Sequence, residues 1–194
     1  MSAIRNILFS GVGGQGILLA SELTAAALLQ SGYDVKKSEV HGMAQRGGSV
    51  TAQLRYGERV YSPLIDPGAA DIQMAFEMME AVRYLPYLNQ DSTVIVNTQK
   101  ILPPSVATGQ AVYPKDVLDE LEKRDTRVIG VDAFSIAKEA GEVRTANVAL
   151  VGALSVHLDV EATVFESIIE QRVPQRFLKE NMKAFANGRA AGGR

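Results

Sequence analysis

The sequence predicts a three-layer α/β/α domain on a mixed, mostly parallel sheet that includes a β-hairpin. Three observations carry this. The apolar run Ile7-Leu8-Phe9 leads into Gly11-Val12-Gly13-Gly14-Gln15-Gly16, and a long apolar helical pattern, Ile17 to Leu29, leads out. Further short apolar runs, such as Ser92 to Asn97 and Arg127 to Asp132, alternate with helical patterns, as parallel βα units do. Between them, Val50 to Tyr56 alternates apolar and polar residues, the mark of an antiparallel strand.

Taken in order, Ile4 to Ser10 reads as a buried first strand. The Ile17–Leu29 helix is apolar almost all round, so neighbouring elements or a partner subunit must cover more than one side. Ser31-Gly32 ends it. Tyr33 to Val40 reads as a second strand, parallel to the first through a right-handed crossover. Val50–Tyr56 turns at Gly57-Glu58 into Arg59–Ser62, which predicts the hairpin. Pro63 and Pro67 bracket a loop, Ala70–Ala75 is a short strand, and Phe76–Leu85 a helix stopped by Pro86. Beyond strand Ser92–Asn97, Pro103-Pro104 breaks the chain, Gln110–Tyr113 is a short strand, and Pro114 opens a helix through Lys123. Arg127–Asp132 is the last strand. Helices follow at Ala133–Ala140, closed by Gly141, at the nearly apolar Asn147–Leu158, at Val160–Val173 and at Pro174–Ala186. Residues 1–187 form a single domain on this reading, and Gly188 to Arg194 is a flexible tail.

Composition excludes several classes. The 194 residues are 46% hydrophobic and 22% charged, enough for one full core. A net charge of −2 carries no nucleic-acid footprint, and no run is long enough to span a bilayer. Met1 to Asn6 has no signal-peptide architecture, so a cytoplasmic location is expected. There are no cysteines, hence no disulfides, thiolate chemistry or iron–sulfur ligands. The two histidines, His41 and His157, are too few for a histidine-rich metal site, and neither a P-loop nor a G-x-S-x-G elbow is present.

Two stretches point to a site. The first is the glycine turn, with G-x-G-x-x-G at Gly11, Gly13 and Gly16. Its glycines let another group approach the backbone, and the new helix offers free N–H groups to an anion. The plain alternative is a tight turn that packs helix on sheet and binds nothing. The second stretch is His41-Gly42-Met43-Ala44-Gln45-Arg46-Gly47-Gly48-Ser49, where the chain leaves the second strand at the same carboxyl edge. Ligands of open α/β sheets bind at that edge. A Rossmann-like dinucleotide site also wants an acid at the end of the second strand. Glu39 and the poorer Asp34 stand near, with Lys36 and Lys37 available for a 2′-phosphate, but solvated strand residues are the better reading. The Ser49–Ser62 hairpin also interrupts the βαβαβ half on which such a site is built.

The two glycine stretches through Val50, with Tyr61-Ser62-Pro63-Leu64-Ile65 and Ala70-Asp71-Ile72, resemble the gamma domain or subunit of 2-oxoacid:ferredoxin oxidoreductases. The His-Gly-Met-Ala-Gln-Arg-Gly-Gly form looks most like the indolepyruvate-specific branch, and Asn147-Val148-Ala149-Leu150-Val151-Gly152 like the family's late helix start. The resemblance runs from Ile4 to about Ala186. It implies a subunit, inactive alone, of an enzyme that turns a 2-oxoacid and coenzyme A into acyl-CoA, CO2 and reduced ferredoxin. Thiamine diphosphate, Mg2+ and iron–sulfur clusters would sit on a large alpha subunit, and this chain alone would bind no cofactor. The implied binding residues are Gly11, Gly13, Gly14, Gln15, Gly16, Gln45, Arg46, Gly47 and Gly48. They would face the junction with that partner, with coenzyme A as first client and a partner loop as the alternative. His41 is the candidate acid–base group, although a lone histidine beside glycines is more often structural. A homodimer of the isolated chain is compatible, and the other functional class open to the sequence is a stand-alone dinucleotide- or flavin-binding module.

Overall fold

A computed structural model describes residues 4–41, 48–102, 106, 108–110, 112–113, 117–123 and 126–193. Its centre is a six-stranded sheet in the order β2-β3-β1-β4-β5-β6. The strands are β1 (Arg5–Val12), β2 (Asp34–His41), β3 (Ser49–Gly57), β4 (Ala70–Ala75), β5 (Leu88–Asn97) and β6 (Arg127–Val131). β1, β4, β5 and β6 pair in parallel, whereas β3 lies antiparallel between β1 and β2. Helices α1 (Ile17–Gln30), α2 (Met78–Arg83), α3 (Val117–Glu122), α4 (Ala133–Ala140), α5 (Ala146–Ser155), α6 (Ala162–Arg172) and α7 (Leu178–Gly192) cover the two faces.

Alternation along each strand sorts the layers. Ile7, Phe9, Ile72, Met74 and Ile95 face α1, α5, α6 and α7 in the larger core. Ala75, Val94 and Val96 face α2 and α3. Leu8 and Ala70 pack with Ile65 under the segment between β3 and β4. Both faces of the central strands are therefore dry, which is why they read as apolar runs.

Four differences from the sequence-based expectations have physical causes. β2 runs parallel to β1 in direction but is not its neighbour, because β3 is inserted between them. The hairpin is accordingly β2–β3, with Asp34 opposite Gly57 and His41 opposite Val50, and not Val50–Tyr56 with Arg59–Ser62. Both edges of β3 are taken, so Arg59–Ser62 has no ladder to join and runs as a loop. Gln110, Val112 and Tyr113 carry no strand.

The fourth concerns the C-terminus. α7 runs to Gly192, through the segment read as a flexible tail. The small residues that resemble a linker are the contact itself. A Cβ at Gly188 would lie 1.9 Å from the Ala149 oxygen, one at Gly192 2.5 Å from the Ala153 oxygen, and one at Gly152 2.2 Å from the Phe185 oxygen. α5 and α7 thus meet backbone to backbone. Arg189 Nη1 donates to Ser155 Oγ at 2.7 Å, and His157 Nε2 lies 3.1 Å from the Gly192 carbonyl oxygen. Every residue of α5 from Asn147 to Ser155 is buried, and α1 packs against α5 and α6. Of the two covers expected for the apolar Ile17–Leu29 helix, neighbouring elements or a partner subunit, the chain's own helices supply most.

Candidate functional site

The carboxyl ends of β1 and β5 and the starts of α1, α4 and α5 surround a hollow of about 420 Å3. Gly14, Gln15 and Gly16 form one wall, Asn97, Gln99 and Ile101 another, and Phe134, Val143, Arg144, Ala146 and Asn147 close the rest.

The glycine turn divides its tasks. Gly14 (φ 100°) and Gly16 (φ 78°) hold the left-handed conformation that side chains resist. A Cβ at Gly14 would meet nothing within 4 Å, whereas one at Gly16 would come 2.4 Å from Asn147 Nδ2. Gly14 is therefore open toward the hollow and Gly16 is where α1 and α5 touch. Gly11 is a packing glycine, its missing Cβ 2.7 Å from Phe76 Cβ. The Gly13 N–H donates to the Gly48 carbonyl at 2.9 Å, tying the two glycine stretches together. Gln15 Oε1 accepts from the Val12 N–H at 2.7 Å, and Gln15 Nε2 donates to the Phe76 carbonyl at 2.8 Å. The Gln15 amide, expected to face a ligand, thus makes two bonds within the fold while its residue lines the hollow.

Of the second stretch, Gly48 supplies that carbonyl, and Ser49 Oγ donates to Glu80 Oε2 at 2.5 Å and lies 3.0 Å from the Tyr84 hydroxyl. His41 ends β2 opposite Val50. Gln45, Arg46 and Gly47 lie outside the described residues.

Two groups that line the hollow, Asn97 and Arg144, and one behind it, Glu77, escaped sequence reasoning. Asn97 is buried at the end of β5, with Nδ2 donating to the Phe76 carbonyl and Oδ1 accepting from the Ala133 N–H, so it joins β5 to the start of α4. Glu77 caps α2 and accepts from the Ile101 N–H and the Tyr113 hydroxyl at 2.5 Å. Burial, then that bond, push the Tyr113 hydroxyl up well beyond its ordinary range. Arg144 brings a cation to the rim. Its Nε and Nη2 donate to Glu142, which the guanidinium holds down to about 2, and its charge stands 4.8 Å from the Phe177 ring centre. Phe134 and Val143 on the rim are 44% and 46% exposed. An asparagine ending an apolar strand is the only one of these with a sequence signal, since a buried polar end must find partners.

The acids weighed for a ribose do not reach the hollow. Asp34 starts β2 at the opposite edge, bound to Lys36 and the Val60 N–H, and both hold its carboxyl below the ordinary range. Glu39 pairs with Lys37 at 2.6 Å. With β3 between β2 and β1, no β2 acid stands next to the glycine turn.

Residues 6–191 match the model of the pyruvate ferredoxin/flavodoxin oxidoreductase family. The chain is 43% identical over 187 residues to indolepyruvate oxidoreductase subunit IorB of Archaeoglobus fulgidus, covering 94% of this chain and 92% of that one. The gamma subunit of a keto/oxoacid ferredoxin oxidoreductase from Geobacter sulfurreducens has the same fold, with a TM-score of 0.75 at 24% identity over 98% of this chain and 97% of the other. So does part of the 2-oxoglutarate:ferredoxin oxidoreductase of Magnetococcus marinus, solved with 2-oxoglutarate, coenzyme A and succinyl-CoA bound. That match has a TM-score of 0.77 at 18% identity and covers 98% of this chain and 31% of that one.

Proposed function

Because the chain belongs to the pyruvate ferredoxin/flavodoxin oxidoreductase family, as the smaller subunit of a 2-oxoacid:ferredoxin oxidoreductase, we propose that its enzyme oxidises indolepyruvate or a related arylpyruvate, and that its hollow receives the phosphate-bearing part of coenzyme A. A large alpha subunit supplies thiamine diphosphate, Mg2+ and the iron–sulfur clusters that pass electrons to ferredoxin. The absence of any cysteine from this chain supports that division, since thiolate-held clusters need ligands it does not have. Thiamine supplies the decarboxylation chemistry on the partner, and the task of this chain is binding.

The observation that carries the coenzyme A reading is convergence. α1, α4 and α5 start at one hollow, which brings the positive ends of three helix dipoles there, although Asn97 and Asp132 already take the Ala133 and Ser135 N–H groups of α4. Arg144 adds a guanidinium, already paired with Glu142, and the open side of Gly14 permits close approach. Arg46, two positions before Gly48 in the sequence, is the second cation of this reading. Exposed Phe134 and Val143 suit the apolar part of the same ligand or the covering subunit.

The test uses the assembled enzyme, anaerobically, with Arg144→Ala, Arg46→Ala and Gly14→Val. A charge-assisted contact is worth about 1.5–3 kcal/mol, so each arginine change raises the apparent KM for coenzyme A roughly tenfold or more. Saturation with the 2-oxoacid stays unchanged. Gly14→Val forces a branched residue into positive φ and lowers activity more broadly. Normal assembly with an unchanged coenzyme A response in both arginine variants would refute the site.

A further inference from the structure

The stretch Arg59 to Ile65 stands at the opposite edge of the sheet from the hollow, beyond the end of β3, and the hollow makes no use of it. It is held to an extent unusual for an exposed loop. Val60 and Ile65 are buried at its two ends. The Val60 N–H donates to Asp34 Oδ2 at 2.8 Å and the Ile65 N–H to Gln53 Oε1 at 2.7 Å. Arg55 Nη1 donates to the carbonyls of Ser62 and Leu64, and the Leu64 N–H donates to Ser62 Oγ. Arg55 Nε is itself fixed by Asn6 Oδ1 at 2.8 Å. Pro63 further limits the backbone.

What this scaffold displays is apolar and cationic. Tyr61 is 80% exposed and Leu64 58% exposed. The Arg59 guanidinium stacks 5.1 Å from the Tyr61 ring centre, and among the described residues it forms no ion pair. Asp34 feels its charge but is already bound by Lys36 and the Val60 N–H. Fixing a backbone costs conformational entropy, and here the fold has met that cost before any partner arrives. Tyr and Arg on a rigid support are the residue types that dominate protein–protein binding energy.

We propose that Arg59, Tyr61 and Leu64 form a preorganised docking surface for the large subunit, separate from the hollow, and that it takes an apolar recess rimmed by carboxylate. The unpaired guanidinium beside an aromatic ring and a leucine sets that chemistry. The inference rests on the reading of this chain as one subunit of a larger enzyme.

The experiment measures anaerobic binding of the full chain to the large subunit, for wild type, Tyr61→Ala/Leu64→Ala and Arg59→Glu, with thermal unfolding of each free chain alongside. The expected result is a Kd raised at least tenfold by the double variant and by Arg59→Glu, with the thermal midpoint of the double variant unmoved because Tyr61 and Leu64 face solvent, and that of Arg59→Glu lowered only slightly by repulsion of Asp34. Equal binding by all three would overturn the surface while leaving the subunit reading intact. So would loss of self-association of the isolated chain with unchanged binding to the large subunit, which would assign the surface to a second copy. Failure of the wild type itself to bind would overturn both readings.

Discussion

Gly188→Ala isolates the α5–α7 seam. The added methyl would stand 1.9 Å from the Ala149 carbonyl oxygen, and ordinary contact begins at 3.4 Å, so the helices would have to part by about 1.5 Å. Backbone cannot swing aside as a long side chain can. Parting also loosens the Gly192 contact at Ala153 and the Gly152 contact at Phe185. In an exposed helix Gly→Ala would gain about 1 kcal/mol of propensity. Overpacking costs about 1–3 kcal/mol, and occasionally more where backbone must shift. The net expectation is a loss of about 2 kcal/mol, or roughly 4–8 °C in Tm for a chain of this size. Gly193→Ala is the control. Its Cβ would meet the Arg189 oxygen at an ordinary 3.6 Å, so its stability should stay within about 0.5 kcal/mol of wild type. Urea and thermal unfolding of the isolated chain read both. A Gly188→Ala chain as stable as wild type would refute the close seam and return residues 188–194 to the status of a tail.

Other perturbations test neighbouring parts. Gln15→Leu strands the Val12 N–H, while the Phe76 carbonyl keeps the Asn97 amide, and should cost about 1–2 kcal/mol of stability; unchanged stability with a raised KM for coenzyme A would mean the amide faces ligand instead. His157 is drawn below its ordinary 6.5, chiefly by burial and secondarily by Arg127, against the opposing pull of the Gly192 carbonyl. The unfolded chain then binds more protons than the native one between the two values, so stability should fall as pH drops through that window from about 6.5. His157→Gln should flatten that part of the pH–stability curve, and an unaltered curve would assign the dependence elsewhere. The arginine variants at the hollow and the Tyr61/Leu64 variant are read by KM and by subunit binding respectively.

The elements were legible where a local pattern repeats. β1, the glycine turn and α1 follow from Ile7-Leu8-Phe9, two positive-φ glycines and a helical run. Strand order was not legible. Nothing in Val50–Tyr56 tells that both its edges are taken, because alternation reports faces and not neighbours. The C-terminal helix misled for a related reason. Gly188-Arg189-Ala190-Ala191-Gly192-Gly193 has a linker composition, and its glycines reveal their purpose only against Ala149 and Ala153, far earlier in the chain. Tyr113, Glu77 and Ser49 likewise depend on long-range partners that no window shows.

The candidate site divides along the same line, and the division bears on how the glycine turn works. Read locally, Gly11 to Gly16 is an anion cradle in its own right. In the fold, its Gly13 N–H is spent on Gly48 and its Gln15 amide on Val12 and Phe76. These bonds fix where α1 begins and where the second glycine stretch ends. The positive end that faces the hollow is completed by α4, which Asn97 anchors, and by α5, which touches the turn through Asn147. On the proposed reading, then, the turn acts first as a positioning device and only second as a ligand. Gly14→Val should therefore disturb binding and assembly together, whereas Arg144→Ala, which leaves every one of these bonds in place, should disturb binding alone.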